Sequence, residues 1–190
     1  PICYRHEPVL LETGGGILNV KDLLGDTDFV VYNGDVLADF PLTPLLDEHR
    51  VSGRIATLAL RSFGNEKKIQ FDSKKRLITD MRGLIGGRSE PSFLFTGVSV
   101  FKPEIFRFIP SGEVISIIPV LAGLIRSGLE IGACVIDEGV WFDIGTLDAY
   151  FDIHRAIHGG DHRFSYLPMD ALKPVSPGAQ VHQSARVEGF

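Results

Sequence analysis

Two carboxylates stand in settings where a carboxylate can do chemistry. Asp35 follows an apolar run, Phe29-Val30-Val31-Tyr32, through Asn33-Gly34. In open α/β sheets, ligands gather beyond the carboxyl ends of strands, and a carboxylate there suits Mg²⁺, a hard cation that prefers oxygen. Gly34 lets the backbone turn and leaves room for something bulky. An Asn-Gly-Asp turn that merely opens a loop is the competing explanation. Asp143 stands in Val140-Trp141-Phe142-Asp143-Ile144-Gly145-Thr146, between apolar residues and just before a helix cap. That setting predicts partial burial, which is costly without a partner. A metal is one partner; the free amides of a helix start are another. Trp141 reads as core. The third feature is Leu11-Glu12-Thr13-Gly14-Gly15-Gly16-Ile17. Three glycines in a row form either a flexible linker or a backbone that must approach a flat or anionic ligand.

The elements that must position these residues alternate. Strands are predicted at 28–32, 54–60, 93–101 (interrupted by Gly97) and 131–136, and a hairpin at 69–79 around the Asp72-Ser73 turn. Helices are predicted at 43–49, with a Thr43 cap and Pro44 in first position, at 103–108, and at 116–127, closed by Gly128. A last helix is capped by Thr146, with Leu147, Tyr150, Phe151, His154 and Ile157 on one stripe. The glycine triplet runs into Ile17 and a helix-like stretch from Asn19 to Leu24. The fold class is α/β: a Rossmann-like mixed, mainly parallel sheet flanked by helices. Residues 1–158 form this domain, 159–174 a connector, and 175–190 the start of a left-handed β-helix. The last assignment rests on Val175, Val181 and Val187 at every sixth position, with Ala179 and Ala185 between them.

Composition narrows the function classes. Hydrophobic residues make up 44% and charged residues 23%, which fits a folded domain. A formal charge of −5 argues against a nucleic-acid partner. No apolar run approaches the ~20 residues of a membrane span. Cys3 and Cys134 have no zinc-like spacing, and they fit a reducing, cytoplasmic setting.

Taken in order, LLETGGGI, VVYNGDV, FLFTGVSVFKPEIF and VWFDIGT followed by a helix resemble the sugar-1-phosphate nucleotidyltransferase (NDP-sugar pyrophosphorylase) family. The look is closest to its mannose-1-phosphate guanylyltransferase-like members, and the six-residue tail resembles the β-helix many of them carry. The resemblance implies transfer of a nucleoside monophosphate from an NTP to a sugar 1-phosphate, with release of pyrophosphate. It implies that Asp35 and Asp143 are catalytic and hold Mg²⁺. Glu12, Thr13, Gly14, Gly15 and Gly34 would bind the nucleotide; Thr96, Gly97 and Arg82 would bind the sugar phosphate. Arg82 stands where the family has a lysine, and Arg88 is a second candidate for that contact. The family's Gly-rich triphosphate loop is not among these 190 residues, so the resemblance implies that the chain alone is inactive. A homo-oligomer is expected. A non-catalytic regulatory homologue that binds a nucleotide sugar or an active partner is the alternative. A dinucleotide-binding Rossmann domain fails on spacing, since LETGGGI is not GxGxxG.

Overall fold

The computed structural model describes residues 2–86, 91–167 and 178–186. Arg88, Val175 and Val187 lie outside them. The described chain forms two compact units, residues 1–33 with 41–137, and residues 34–40 with 138–190.

The first unit carries the strands β1 (Phe29–Tyr32), β3 (Ala56–Arg61), β4 (Lys67–Asp72), β5 (Leu77–Met81), β6 (Ser92–Phe101) and β7 (Gly132–Val135). Its helices are α1 (Glu12–Asn19), the short α2 (Lys21–Leu24), α3 (Thr43–Ser52), a 3₁₀ turn at Pro103–Arg107, and α4 (Ile117–Arg126). The sheet order is β1-β6-β3-β7-β5-β4, and β4 also pairs with β6, so five strands close on themselves. Only β3 and β7 pair in parallel; β1–β6, β3–β6, β4–β5, β4–β6 and β5–β7 are all antiparallel. The expected mainly parallel sheet is therefore corrected. β1, β3 and β7 do run in one direction, as strand–helix alternation requires. β6 enters between β1 and β3 and runs against both. Alternation fixes the direction of successive strands, but not which distant strand fills the gap between them.

The core is apolar and spans both sides of β3, whose residues Ala56 to Arg61 are all buried. α4 contributes Ile117, Ile118, Val120, Leu121 and Leu124 to it. Ser116 caps this helix through its Oγ, which accepts from the Ile118 amide, and Pro119 sits in the first turn. α3 starts one residue earlier than its sequence suggests. Leu42 is at the N-cap and Thr43 is the first helical residue, so Thr43 does not cap.

The second unit is built on β2 (Val36–Asp39) and β8 (Val140–Asp143), an antiparallel pair, followed by α5 (Leu147–Gly159). β2 has no counterpart among the strands predicted from sequence. Thr146 caps α5, its Oγ1 accepting from the Ala149 amide at 3.2 Å. The helix ends at Gly160, which takes the left-handed conformation. Its inward face is not the expected stripe. Ile153 is buried and Ala149, Ala156 and Ile157 are half-buried, whereas Leu147, Tyr150 and Phe151 are exposed. Small alanines allow the helix to seat on that face. The rings of Tyr150 and His154 meet at a tilt on the outside, with centroids 4.5 Å apart. Residues 161–167 pack onto the strand pair. Phe164 is buried against Phe142, and the Ser165 Oγ and amide both donate to the Asp39 carboxylate. Residues 178–186 contain no strand.

Candidate functional site

The β2–β8 pairing is what brings the two aspartates together. Val36 lies opposite Asp143 and Asp39 opposite Val140, so the start of β2 and the end of β8 share one end of the ladder. Asp35 immediately precedes that start. The Ile144 amide donates to the Asp35 carbonyl at 2.8 Å, which carries the ladder one step further. The Asp143 Oδ1 accepts from the Gly145 amide at 2.9 Å. A methyl placed on Gly145 would lie 3.1 Å from Asp143 Oδ1 and 3.2 Å from Asp35 Oδ2. Both carboxylates thus face the same bare glycine. Both are also exposed. The expectation of a partly buried Asp143 is corrected: β8 ends at this residue, and its neighbours Phe142 and Ile144 take the sheltered positions.

This donor set fits Mg²⁺: two hard oxygen donors converge on an open face where no Cβ stands between them. Among the described residues no cluster of three or more His, Cys, Asp or Glu side chains forms. Two carboxylates would suffice for an ion that keeps several waters and takes phosphate oxygens. Gly34 is exposed, its φ is not positive, and a Cβ there would meet open space. The turn does not require glycine; the free volume beside it remains.

In the first unit, β6 breaks its ladder at the expected glycine. Leu58 pairs with Ser99 and Leu60 with Phe95, so Ala59 faces a bulge at Thr96–Val98. Thr96 is fully buried; its Oγ1 donates to the Ala59 carbonyl at 2.9 Å and accepts from the Val98 amide at 3.2 Å. A side chain therefore replaces the missing ladder bonds, and the Thr96 hydroxyl serves the bulge. Gly97 has φ +77°, and a Cβ on it would approach Asn33 Nδ2 to 2.9 Å. The Asn33 amide donates to the Gly97 carbonyl at 3.0 Å. Leu94 pairs with both Lys67 and Arg61, which places β4 and β3 on opposite edges of β6. β1 also pairs on the edge away from β3. The bulge therefore fills the interval between the carboxyl end of β1 and the start of β4. Bulges of this kind commonly adjoin active sites.

The glycine triplet lies inside α1, not ahead of a helix. Its first amides are capped by a backbone carbonyl: Gly14 N and Gly15 N donate to Ile115 O at 2.8 and 3.1 Å. In return, Thr13 Oγ1 accepts from the first amide of α4, Ile117 N, at 3.0 Å. Gly14 and Gly15 are buried, and a Cβ on Gly14 would sit 2.7 Å from Ile115 O. Close approach thus demands the glycines, and the near ligand is residues 113–117 of the chain itself. Glu12 is exposed and holds φ +58°.

Arg82 is exposed in the turn after β5 and has φ +55°. The sequence motifs give no evident role to Asp80, two residues earlier, or to Gly145. The signal for Asp80 was present in the spacing Asp80-x-x-Gly83-x-x-Gly86, which suits a carboxylate that collects loop amides.

Comparison with known proteins follows the same line. A family model described as nucleotidyl transferase matches residues 2–160. The chain is 31% identical over 153 residues to an N-acetylmuramate alpha-1-phosphate uridylyltransferase of Neisseria meningitidis serogroup B, covering 77% of this chain and 62% of that one. It is 30% identical over 190 residues to a mannose-1-phosphate guanylyltransferase of Mycobacterium tuberculosis, covering 94% and 52%. Among solved structures, a UDP-glucose pyrophosphorylase complexed with UDP-glucose superposes with a TM-score of 0.64 at 18% identity, covering 80% of this chain and 64% of that one. The chain spans roughly half to three-fifths of the length of these curated relatives. With the family model matched across both aspartates, the chain belongs to the nucleotidyl transferase family.

Proposed function

We propose that the protein transfers a nucleoside monophosphate from an NTP to a sugar 1-phosphate. A phosphate oxygen of the sugar phosphate attacks the α-phosphorus; the new P–O bond forms as the bond to the β-phosphate breaks, and pyrophosphate leaves. The observation that carries this reading is the convergence of Asp35 and Asp143 on Gly145 in a chain of this family. Asp35 and Asp143 would hold Mg²⁺, which when bound neutralises charge gathering on the phosphate oxygens. Their exposure leaves them free to take that role without a folding penalty. The open volume at Gly34 suits a nucleotide passing close to the backbone. Glu12 and Thr13 would meet the nucleotide from the end of α1, with Gly14 and Gly15 setting how deeply that end is seated. Gly97 would leave room for the sugar, with Thr96 holding the bulge that shapes it, and Arg82 would contact the sugar phosphate.

The finer assignments are part of the same proposal. Residues 1–158 would be the transferase domain and 159–174 a connector. The six-residue spacing of Val175, Val181 and Val187 supports the start of a hexapeptide β-helix at 175–190, with a homo-oligomer as its consequence. No helix among the described residues is long and apolar enough to cross a membrane, and a cytoplasmic site of action suits nucleotide substrates.

The test is a pyrophosphate-release screen on the full-length protein with Mg²⁺, crossing the four common NTPs with several sugar 1-phosphates. One pair should turn over well above the rest. Nucleotide-sugar binding without turnover for any pair would instead favour the regulatory homologue.

A further inference from the structure

We infer that Asp80 is a positioning residue whose buried carboxylate sets the loop Arg82–Gly86 so that the Arg82 guanidinium is presented to the sugar phosphate. This rests on the nucleotidyl-transfer reading above.

Asp80 lies on β5 and is 3% exposed. Its Oδ2 accepts from the Gly83 amide at 2.8 Å; its Oδ1 accepts from Ile85 N at 2.7 Å and from Gly86 N at 3.3 Å. A carboxylate taken out of water needs compensation of this kind. The compensation comes wholly from backbone amides of one exposed loop, so side chain and loop specify each other. The loop is fixed at other points as well. The Arg82 amide donates to Lys68 O on β4 at 2.7 Å, and the Leu84 amide to Met81 O at 3.0 Å. Arg126 Nη1 reaches over from α4 to Leu84 O at 3.3 Å. Arg82 itself is held at φ +55°, a left-handed conformation uncommon for a non-glycine residue. An exposed turn gains little stability from such bracing. An arginine that must meet a phosphate at a fixed angle gains a great deal, because a guanidinium recognises phosphate through a planar fork. The anchor point suits that use. Lys68 lies between Lys67 and Ile69, which pair with Leu94 and Phe93, three and four residues along β6 from Gly97.

Asn in place of Asp80 keeps the shape but offers one acceptor and turns a donor towards the loop amides. Asp80→Asn, Arg82→Ala and the double variant should therefore be compared by steady-state kinetics, varying the sugar 1-phosphate and NTP separately. Asp80→Asn and Arg82→Ala should each raise the KM for sugar 1-phosphate at least ten-fold. The KM for NTP should stay within two-fold and kcat within three-fold. Adding Asp80→Asn to Arg82→Ala should change the sugar KM by less than two-fold. If the two penalties multiply, or both KM values rise together, Asp80 is not acting through Arg82 and the inference falls. If Asp80→Asn does not fold, Asp80→Glu, which keeps the charge but moves it by one methylene, carries the same expectation. Amide exchange gives a readout apart from turnover: Gly83, Ile85 and Gly86 should exchange at least ten-fold faster in Asp80→Asn, and unchanged rates overturn the clamp. No turnover by the wild type with any substrate pair overturns the underlying reading and leaves that exchange result to judge the clamp.

Discussion

Asp35 and Asp143 are distant in sequence, and each alone had an ordinary explanation. The β2–β8 pair brings them together, and both carboxylates face Gly145, to which sequence alone gives no role. A methyl there would press on both carboxylate oxygens at 3.1 and 3.2 Å. Gly145→Ala should therefore lower kcat/KM by about ten-fold or more, since a small misplacement of catalytic groups is costly. It should leave Tm nearly unchanged, because Gly145 and the two carboxylates it faces are exposed. A fall in Tm matching the fall in activity would make the glycine structural. Gly34 permits a cleaner version of the same experiment. A Cβ there meets nothing within 4 Å, so Gly34→Ala has no folded-state contact to disturb. A rise in the KM for NTP at constant Tm is expected; an unchanged KM would take the nucleotide away from this turn. At Thr96 the sequence led towards a ligand contact, and burial shows a hydroxyl engaged within its own sheet. The Thr-Gly pair signals the bulge, not which of its two residues faces outward.

At the scale of elements, the glycine triplet shows how one motif carries two demands. Gly14 abuts the backbone of Ile115, while Gly16 in the same helix has only the Glu7 side chain near, at 3.3 Å. Gly14→Ala should destabilise by about 1–3 kcal/mol through overpacking. Gly16→Ala should be neutral or stabilise by up to about 1 kcal/mol, because alanine is the better helix former. Equal effects in urea unfolding would contradict the seating of α1 on residues 113–117. α3 carries a buried titratable group, His49. His49 is 2% exposed, pairs through Nδ1 with Thr57 Oγ1 at 2.8 Å, and has Asp28 Oδ2 3.6 Å from Nε2. Burial pushes its pKa down; Asp28 opposes the shift and Lys102 adds to it. The unfolded chain then takes up a proton, below about pH 6.5, that the folded chain resists. Stability should fall as pH drops through that range. The loss of Tm on acidification should be shallower in His49→Gln than in the wild type, and parallel slopes would remove His49 from the account. Helix and strand positions were mostly legible because apolar periodicity is local. β2 was not: four half-buried residues directly after a turn give no alternation to detect, and only the distant β8 makes them a strand. The outward stripe of α5 misled for the opposite reason, because its rings pack on one another instead of on a core.

For the whole molecule, the fold class was legible but the sheet's direction was not. Strand–helix alternation orients β1, β3 and β7 correctly, yet nothing local says that β6 will be inserted between two of them. The family was legible because four short motifs occur in order, and the matched span of residues 2–160 contains all of them. Asp35 and Asp143 are proposed to act as one Mg²⁺-binding unit in nucleotidyl transfer. The most direct test is kcat/KM for wild type, Asp35→Asn, Asp143→Asn and the double variant of the full-length protein, each measured across a Mg²⁺ titration. Each single substitution should lower kcat/KM by about 100-fold or more and flatten the response to Mg²⁺, and the double should be scarcely worse than either, since groups that act as a unit are not additive. Near-normal, Mg²⁺-dependent activity in Asp143→Asn, or penalties that multiply in the double variant, would contradict it.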